Sequence, residues 1–176
     1  MNINVQSAEE NDYQPTSLEL TPHDPISITS DSDFEVFLGS GTEEDPYVIE
    51  GYSITTTSSN GIYITYTTKY FIVRNCYVDA EEIGIYISNV ADGTATVIKN
   101  TCSNNKWGIG LSSSGSSTVI NNTCNNNSIN GIYLEDSGSA TVANNTFTNC
   151  GLEIYENSID AYLSYTVENN WVYLPF

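Results

Sequence analysis

The sequence predicts an all-β solenoid of about five to six parallel-stranded coils with a period of about 23 residues. The first observation is a recurring phrase, Gly-Ile-Tyr-Ile or a variant of it, whose glycines lie 23, 24, 23 and 20 residues apart. These glycines are Gly61, Gly84, Gly108, Gly131 and Gly151. A second phrase of the type Val-Ile-x-Asn alternates with the first. Regular spacing predicts stacked coils, because one such repeat cannot bury its apolar face alone.

Each coil is predicted to contain short β-strands rather than helices. The segments between turns alternate apolar and polar residues and are rich in Val, Ile, Thr and Tyr. Turns such as Asp92-Gly93, Ser114-Gly115 and Ser137-Gly138 separate them. The sequence contains no apolar stripe of useful length with the 3.6-residue period of an α-helix. Strands stacked about 4.8 Å apart would build a rod of about 25–30 Å.

Four segments follow one another along the chain. Residues 1–25 are acidic, contain Pro15, Pro22 and Pro25, and are expected to form an extended N-terminal arm. Residues 26–46 are expected to form an N-terminal cap, with 34–38 lying over the open end of the solenoid. The coils occupy 47–172, and 173–176 are a C-terminal tail.

The recurring asparagines are predicted to form a ladder at one bend of the solenoid. Asparagine tolerates the left-handed backbone of a bend, and stacked copies can hydrogen-bond from coil to coil. The predicted members are Asn75, Asn100, Asn122 and Asn145. Their role is interpreted as structural.

The charge excludes several classes of partner. The chain has 22 Asp and Glu against four Lys and Arg, a net charge of −18. Nucleic acid is therefore not an expected partner, since phosphates require Lys and Arg. No stretch of the sequence is long and apolar enough to be a predicted transmembrane segment. The N-terminus has no signal-peptide pattern, so the chain is either cytosolic or a mature form. Sequons at Asn121, Asn126 and Asn144 favour an extracellular or cell-surface location with N-glycosylation, although they also arise by chance in an Asn-rich sequence.

The phrases resemble a known family. Residues 119–134, which begin Val-Ile-Asn-Asn-Thr and end Gly-Ile-Tyr-Leu, are similar to repeats of right-handed parallel β-helix proteins of the NosD-like type. Residues 39–52 and 165–172 resemble other parts of such domains, so the likeness extends over about 25–172. It implies a right-handed parallel β-helix, a fold used by carbohydrate-binding proteins, polysaccharide lyases, epimerases and surface proteins. Copper, which some relatives are thought to handle, is not expected with one His and one Met.

The repeated phrase places Tyr63, Tyr86 and Tyr133 in one outward column that Gly110 interrupts. This stripe is interpreted as a glycan-binding face, a partner-binding face, or simply favourable strand residues.

Other residue types allow weaker hypotheses. Asp79, Glu81 and Glu82 share one turn and are candidates for Ca²⁺ binding, with solvated turn residues as the alternative. No other cofactor is expected. Cys102 and Cys124 should lie about 4.8 Å apart on adjacent coils, either as a disulfide or as stacked core thiols.

These observations favour a non-enzymatic structural or adhesive protein that forms homo-oligomers or filaments end to end. The predicted subunit contact is the C-terminal end, at Trp171, Val172, Tyr173 and Phe176. The alternatives are a carbohydrate-binding module that uses the tyrosine stripe and a polysaccharide lyase or hydrolase. Against the enzyme, the candidate carboxylates have no evident basic partner on an aligned coil.

Overall fold

The computed structural model describes residues 19–157 and 164–174. All nineteen strands of this part belong to three parallel sheets, and successive strands of the chain pass from one sheet to the next. Each strand inside a sheet therefore pairs with its counterparts about one repeat earlier and one repeat later. This confirms the predicted parallel β-solenoid.

Three sheets form the walls of the solenoid, and we number them 1 to 3. Sheet 1 contains β2 (Ile26–Ile28), β5 (Asn60–Thr65), β8 (Ile83–Ser88), β11 (Trp107–Ser112), β14 (Asn130–Glu135) and β17 (Leu152–Tyr155). Sheet 2 contains β3 (Tyr47–Glu50), β6 (Phe71–Arg74), β9 (Ala95–Ile98), β12 (Thr118–Ile120), β15 (Thr141–Ala143) and β18 (Thr166–Glu168). Sheet 3 contains β1 (Thr21–Pro22), β4 (Tyr52–Thr55), β7 (Tyr77–Asp79), β10 (Thr101–Ser103), β13 (Thr123–Asn125), β16 (Thr146–Thr148) and β19 (Trp171–Tyr173).

The core consists of side chains that repeat in register along the solenoid axis. Ile62, Ile85, Ile109 and Ile132 pair across sheet 1 and are fully buried. The glycines of the first four copies of the recurring phrase, Gly61, Gly84, Gly108 and Gly131, are required by close packing rather than by an unusual backbone angle. A Cβ atom on Gly131 would lie 2.5 Å from Cδ1 of Phe147 on sheet 3.

The bend between sheets 2 and 3 uses two residues in each coil. The first adopts a left-handed backbone with φ near 55°, as at Asn121 and Asn144 (both 57°). The second points inward and forms an asparagine ladder, in which the predicted members Asn100, Asn122 and Asn145 are joined amide to amide to one another and to Asn170, which was not predicted. A short bend thus satisfies its buried backbone groups with side chains of the neighbouring coils.

Asn75 does not belong to the ladder, contrary to the prediction. It occupies the left-handed position (φ 52°), and its side chain donates to Glu50. Cys76 takes the inward place instead, where its N–H donates to Oδ1 of Asn100 at 3.0 Å. Arg74 pairs with Ile98, and this register places Cys76 opposite Asn100. An alignment based on the asparagines alone places Asn75 there instead, one residue out of register.

A second amide ladder, which sequence reasoning missed, lies at the bend between sheets 3 and 1. Asn105 donates its side-chain amide to Oδ1 of Asn127 at 2.9 Å. The amide of Asn127 in turn contacts Sγ of Cys150, and that thiol donates to the carbonyl of Cys124 at 3.1 Å. The signal in the sequence is an Asn-Asn pair that recurs after 22 residues, at 104–105 and 126–127.

Cys102 and Cys124 are paired in register as predicted, and both side chains are fully buried. Of the two alternatives, the structure has stacked thiols, since both are free cysteines. Burial raises the pKa of each thiol, so neither is a reactive thiolate at neutral pH.

The N-terminal end of the core is closed by a 3₁₀ helix, Asp31–Val36. Its Phe34 is fully buried and stacks on Tyr47, with ring centroids 5.1 Å apart. The Asp31 carboxylate accepts hydrogen bonds from the Thr67 hydroxyl at 2.6 Å and from the Thr68 N–H at 2.9 Å. These contacts attach the helix to the coils below it.

Predictions for the arm fall largely on residues 1–18, which lie outside the described residues, as does Phe176. Thr21–Pro22, near the end of the predicted arm, already pairs with β4. Within the described residues, no helix has the length and apolar character needed to cross a membrane.

Candidate functional site

The outer face of sheet 1 carries the tyrosine column that the sequence predicted. Ser27, Tyr63, Tyr86, Gly110, Tyr133 and Glu153 pair in this order along the axis. The flanking residues, such as Ile109 and Leu111, are fully buried and point inward. Strand alternation therefore directs the column outward. Sheet 1 also has the longest strands, with six residues in each of its four central members.

Two rings of the column form a stacked pair. The centroids of Tyr63 and Tyr86 are 5.6 Å apart, and their planes differ by 16°. This separation is close to the spacing of adjacent strands, about 4.8 Å, so the parallel lattice sets the stacking. A near-parallel stack at this distance lies within the range in which aromatic rings attract each other.

Gly110 interrupts the stack at the next coil. A Cβ atom placed on Gly110 would lie 3.2 Å from Cδ2 and 3.7 Å from Cε2 of Tyr86, so one edge of that ring lies beside the glycine. Cγ2 of Ile83 is 3.5 Å from the same point. The position has no side chain of its own, and its neighbours are an aromatic edge and an aliphatic group.

Two further outward columns flank the tyrosines. The first contains Ile83, Trp107 and Asn130, which pair in register, and Trp107 is half-buried. The second contains Ser112 and Glu135, and the Ser112 hydroxyl donates to Glu135 Oε2 at 3.3 Å. The face therefore combines aromatic rings, which can pack on apolar surface, with amide, hydroxyl and carboxylate groups, which can form hydrogen bonds.

The electrostatic environment of this face is negative. Glu135 and Glu153 lie beside Tyr133, and the amide of Asn130 donates to Glu153. Partial burial raises the pKa of Tyr133, and the charges of Glu135 and Glu153 raise it further. Within the described strands of sheet 1, none of the residues is Lys, Arg or His. The arrangement suits uncharged or cationic ligands better than anionic ones.

The proposed calcium residues lie apart from this face and have other partners. Glu82 forms an ion pair with Lys106 at 3.1 Å, and Asp79 accepts a hydrogen bond from Asn104. Glu81 remains a turn residue. In the described ranges, no three His, Cys, Asp or Glu side chains are grouped so that they could hold a metal ion.

The three sequon asparagines are exposed at bends. Asn121, Asn126 and Asn144 all have positive φ angles. The following residues, Asn122, Asn127 and Asn145, are buried in the two ladders. Each sequon thus offers its acceptor amide at the surface.

The last described coil exposes apolar side chains. Trp171, Val172, Tyr173 and Leu174 are 56–67% exposed, and Ile154 and Tyr155 lie on the neighbouring strand of the same coil. The predicted contact residues Trp171, Val172 and Tyr173 are therefore exposed apolar side chains on the last described coil.

The fold and its repeating outer columns define the class as a parallel β-solenoid. Comparison with protein families agrees, since residues 26–172 match the model of the right handed beta helix region. The chain therefore belongs to the right-handed β-helix family. Comparisons with curated proteins and with solved structures gave no significant match.

Proposed function

We propose that this chain is a non-enzymatic adhesive β-helix of the NosD-like type, located at the cell surface or outside the cell, and that it binds glycans on the outer face of sheet 1. The observation that carries the proposal is the stacked outward pair Tyr63 and Tyr86. Trp107 on the next coil adds a third aromatic side chain to the same face.

The chemistry of this face fits a sugar chain. A pyranose ring has apolar C–H faces that pack on aromatic rings, and a rim of hydroxyls that requires hydrogen-bonding groups. Tyr86 and Trp107 offer the aromatic rings, while Asn130 and Ser112 offer the hydrogen-bonding groups. The axial repeat of about 4.8 Å suits a ligand that is itself a repeating chain.

The proposal that the chain is not an enzyme rests on the residues that contact the carboxylates of sheet 1. Lyase and hydrolase chemistry needs an acid and a base at matched positions, and lyases commonly use a cationic side chain to stabilise charge. Glu135 and Glu153 have a serine and an asparagine as partners. The exposed sequons and the net charge of −18 support an extracellular setting.

The test is binding of the purified chain to an array of oligosaccharides. Combined Tyr63→Ala and Tyr86→Ala substitutions are expected to reduce glycan binding at least ten-fold while the fold is retained. Tyr77→Ala, which removes a half-buried tyrosine from sheet 3, is the matched control and should bind normally. The proposal is refuted if the unmodified chain binds nothing, or if the double variant binds as well as the control.

A second candidate function is structural assembly through the last coil, which the apolar surface at Trp171 and Tyr173 favours. Within the described residues, the terminal strands β17, β18 and β19 each pair on one side only. Free strand edges beside apolar side chains favour addition of another chain, giving homo-oligomers or filaments.

Electron microscopy and light scattering test this second candidate. The Trp171→Glu variant should dissociate any assembly, whereas Tyr66→Glu should not, although Tyr66 is equally exposed (70%) on a turn. A monomer at all concentrations for the unmodified chain would exclude the assembly function without affecting glycan binding.

A further inference from the structure

We propose that the chain carries N-linked glycans on Asn121, Asn126 and Asn144, and that these glycans cover the outer face of sheet 3 while they leave sheet 1 free. The inference rests on the extracellular location in the proposed function, but not on glycan binding by sheet 1. It goes further, because it names the residues that are modified and the face that their glycans cover.

The two bends beside sheet 3 hold the acceptor side chains outside the core. Asn121, Asn126 and Asn144 are exposed and adopt the left-handed backbone, with φ angles of 57°, 53° and 57°. The residue that follows each of them is buried. The bends therefore keep each acceptor amide at the surface of the folded chain.

Each acceptor also has the hydroxyl that N-glycosylation requires two residues further on, at Thr123, Ser128 and Thr146. In the reaction, the asparagine Nδ2 attacks the anomeric carbon of a lipid-pyrophosphate-linked oligosaccharide. A C–N bond forms, the C–O bond to the pyrophosphate breaks, and the lipid pyrophosphate leaves while one amide proton passes to a base of the transferase.

Two other asparagines at the same bend as Asn126 are natural controls. Asn104 and Asn149 are exposed and left-handed, with φ angles of 64° and 56°. Two residues beyond them the chain has Lys106 and Gly151, which carry no hydroxyl. The Asn149 amide donates to Oδ1 of Asn126 at 2.7 Å, and this contact does not use Nδ2 of Asn126. Conformation is thus shared at this bend, and only the hydroxyl differs.

Sheet 3 lies between the modified bends. Asn121 and Asn144 are at the bend from sheet 2 to sheet 3, and Asn126 is at the bend from sheet 3 to sheet 1. Strand β13 therefore has an acceptor at each end, and at about 3.3 Å per residue these two are at most about 17 Å apart. Because glycans are bulky, a pair that flanks so narrow a sheet covers its outer face.

The composition of sheet 3 agrees with a cover of sugars. Strands β10, β13 and β16 contain no charged residue, although the chain has 22 Asp and Glu. Their outward positions offer hydroxyl and amide groups, as at Thr101, Thr123 and Asn125, which can hydrogen-bond to sugar hydroxyls. The bend with Asn121 and Asn144 does not adjoin sheet 1, so the tyrosine column stays open.

The first test locates the glycans. The full chain, fused to a removable signal peptide, is secreted from cells that have an N-glycosylation pathway, and its peptides are mapped by mass spectrometry. Glycans are expected on Asn121, Asn126 and Asn144 but not on Asn104 or Asn149. A secreted chain without glycans would overturn the proposal. Oligosaccharide binding by sheet 1 is measured on chain made in bacteria, so the two results are independent.

The variant Gly151→Ser adds the missing hydroxyl after Asn149. No atom lies within 4 Å of a Cβ at Gly151, so the serine fits without a clash. Asn149 should then acquire a glycan, whereas the control Gly151→Ala should leave it unmodified. An unmodified Asn149 in Gly151→Ser would contradict the argument that this bend presents its asparagines as acceptors.

Thiol labelling tests which face is covered. The four native cysteines are buried, so an added cysteine is the accessible thiol. With a bulky maleimide, Asn125→Cys on sheet 3 should react about ten-fold more slowly in the glycosylated chain than after enzymatic removal of the glycans. Ser112→Cys on sheet 1 should react equally in both forms. Equal rates for Asn125→Cys would overturn the cover of sheet 3.

Discussion

Oδ1 of Asn145 accepts two hydrogen bonds from Asn122, one from its backbone N–H at 2.9 Å and one from its side-chain amide at 3.1 Å. The same amide donates to the carbonyl of Val97 at 2.9 Å, on the coil before. Each ladder asparagine thus connects three successive coils inside the core. The ladder satisfies buried backbone groups that the bends would otherwise leave unpaired.

Asn122→Ala should therefore destabilise the protein by about 2–4 kcal/mol, because it removes buried hydrogen bonds and leaves partners such as the Asn100 N–H without an acceptor. Urea unfolding followed by circular dichroism measures the change. The neighbour Asn121 is exposed with φ 57°, a conformation that glycine adopts freely, so Asn121→Gly should be nearly neutral. Equal losses in both variants would contradict the structural importance of the ladder.

Cys150→Asn should extend the second ladder and stabilise the chain by about 1 kcal/mol. The Cys150 thiol already donates to the Cys124 carbonyl, as an asparagine amide would, but it is a weak acceptor for the Asn127 amide, at 3.9 Å. An asparagine oxygen would accept that bond with better geometry. Cys150→Ala, the control, should lower the unfolding free energy, and a lower value for Cys150→Asn as well would count against this interpretation.

Two glycines of the repeated phrase should respond differently to alanine. A Cβ on Gly131 would meet Phe147 Cδ1 at 2.5 Å and Cβ of Cys124 at 2.9 Å, so Gly131→Ala should cost about 1–3 kcal/mol through overpacking. Gly151 has no atom within 4 Å of the same position, and Gly151→Ala should be neutral or slightly stabilising. Thermal unfolding of the two variants gives the comparison, and similar melting temperatures would disprove the packing argument.

The attachment of the cap should depend on pH through Asp31. The Thr67 hydroxyl is the main cause that holds the pKa of Asp31 below its ordinary value, with further hydrogen bonds from Thr68. Because the pKa is lowered in the folded state, the stabilisation is complete above the unfolded pKa of about 3.9 and disappears as pH falls through the folded value.

Asp31→Asn should accordingly lower the melting temperature by a few degrees at pH 7, and the difference from the unmodified chain should close as the pH falls through the lowered pKa of Asp31. Glu35→Gln changes an exposed carboxylate on the same 3₁₀ helix and serves as the control, with no difference expected at neutral pH. A pH-independent difference for Asp31→Asn would mean that sterics rather than charge attach the cap.

The candidate site was partly visible in the sequence. The tyrosine column and its interruption at Gly110 follow from repeat spacing and strand alternation. The pairing of Tyr63 with Tyr86, and of Gly110 with both Tyr86 and Tyr133, confirms them. The stacking of these rings, and the position of the Tyr86 edge beside Gly110, did not follow. Ring orientation depends on side-chain torsions and on neighbours such as Ile83, which repeat spacing does not specify.

By itself, the sequence determined the parallel solenoid, the outward tyrosines, the buried isoleucines and the asparagine bends, because period and alternation are local properties that each repeat carries. Only the tertiary structure decided that Cys76 rather than Asn75 faces Asn100, and that Cys150 ends a second ladder. Coils differ in length by several residues, with 20 between Tyr133 and Glu153 but 25 between Val142 and Val167, and where the extra residues are placed changes which side chains meet. Backbone pairing between coils determines that placement. This pairing joins residues more than twenty positions apart, so it is not a local property of one repeat.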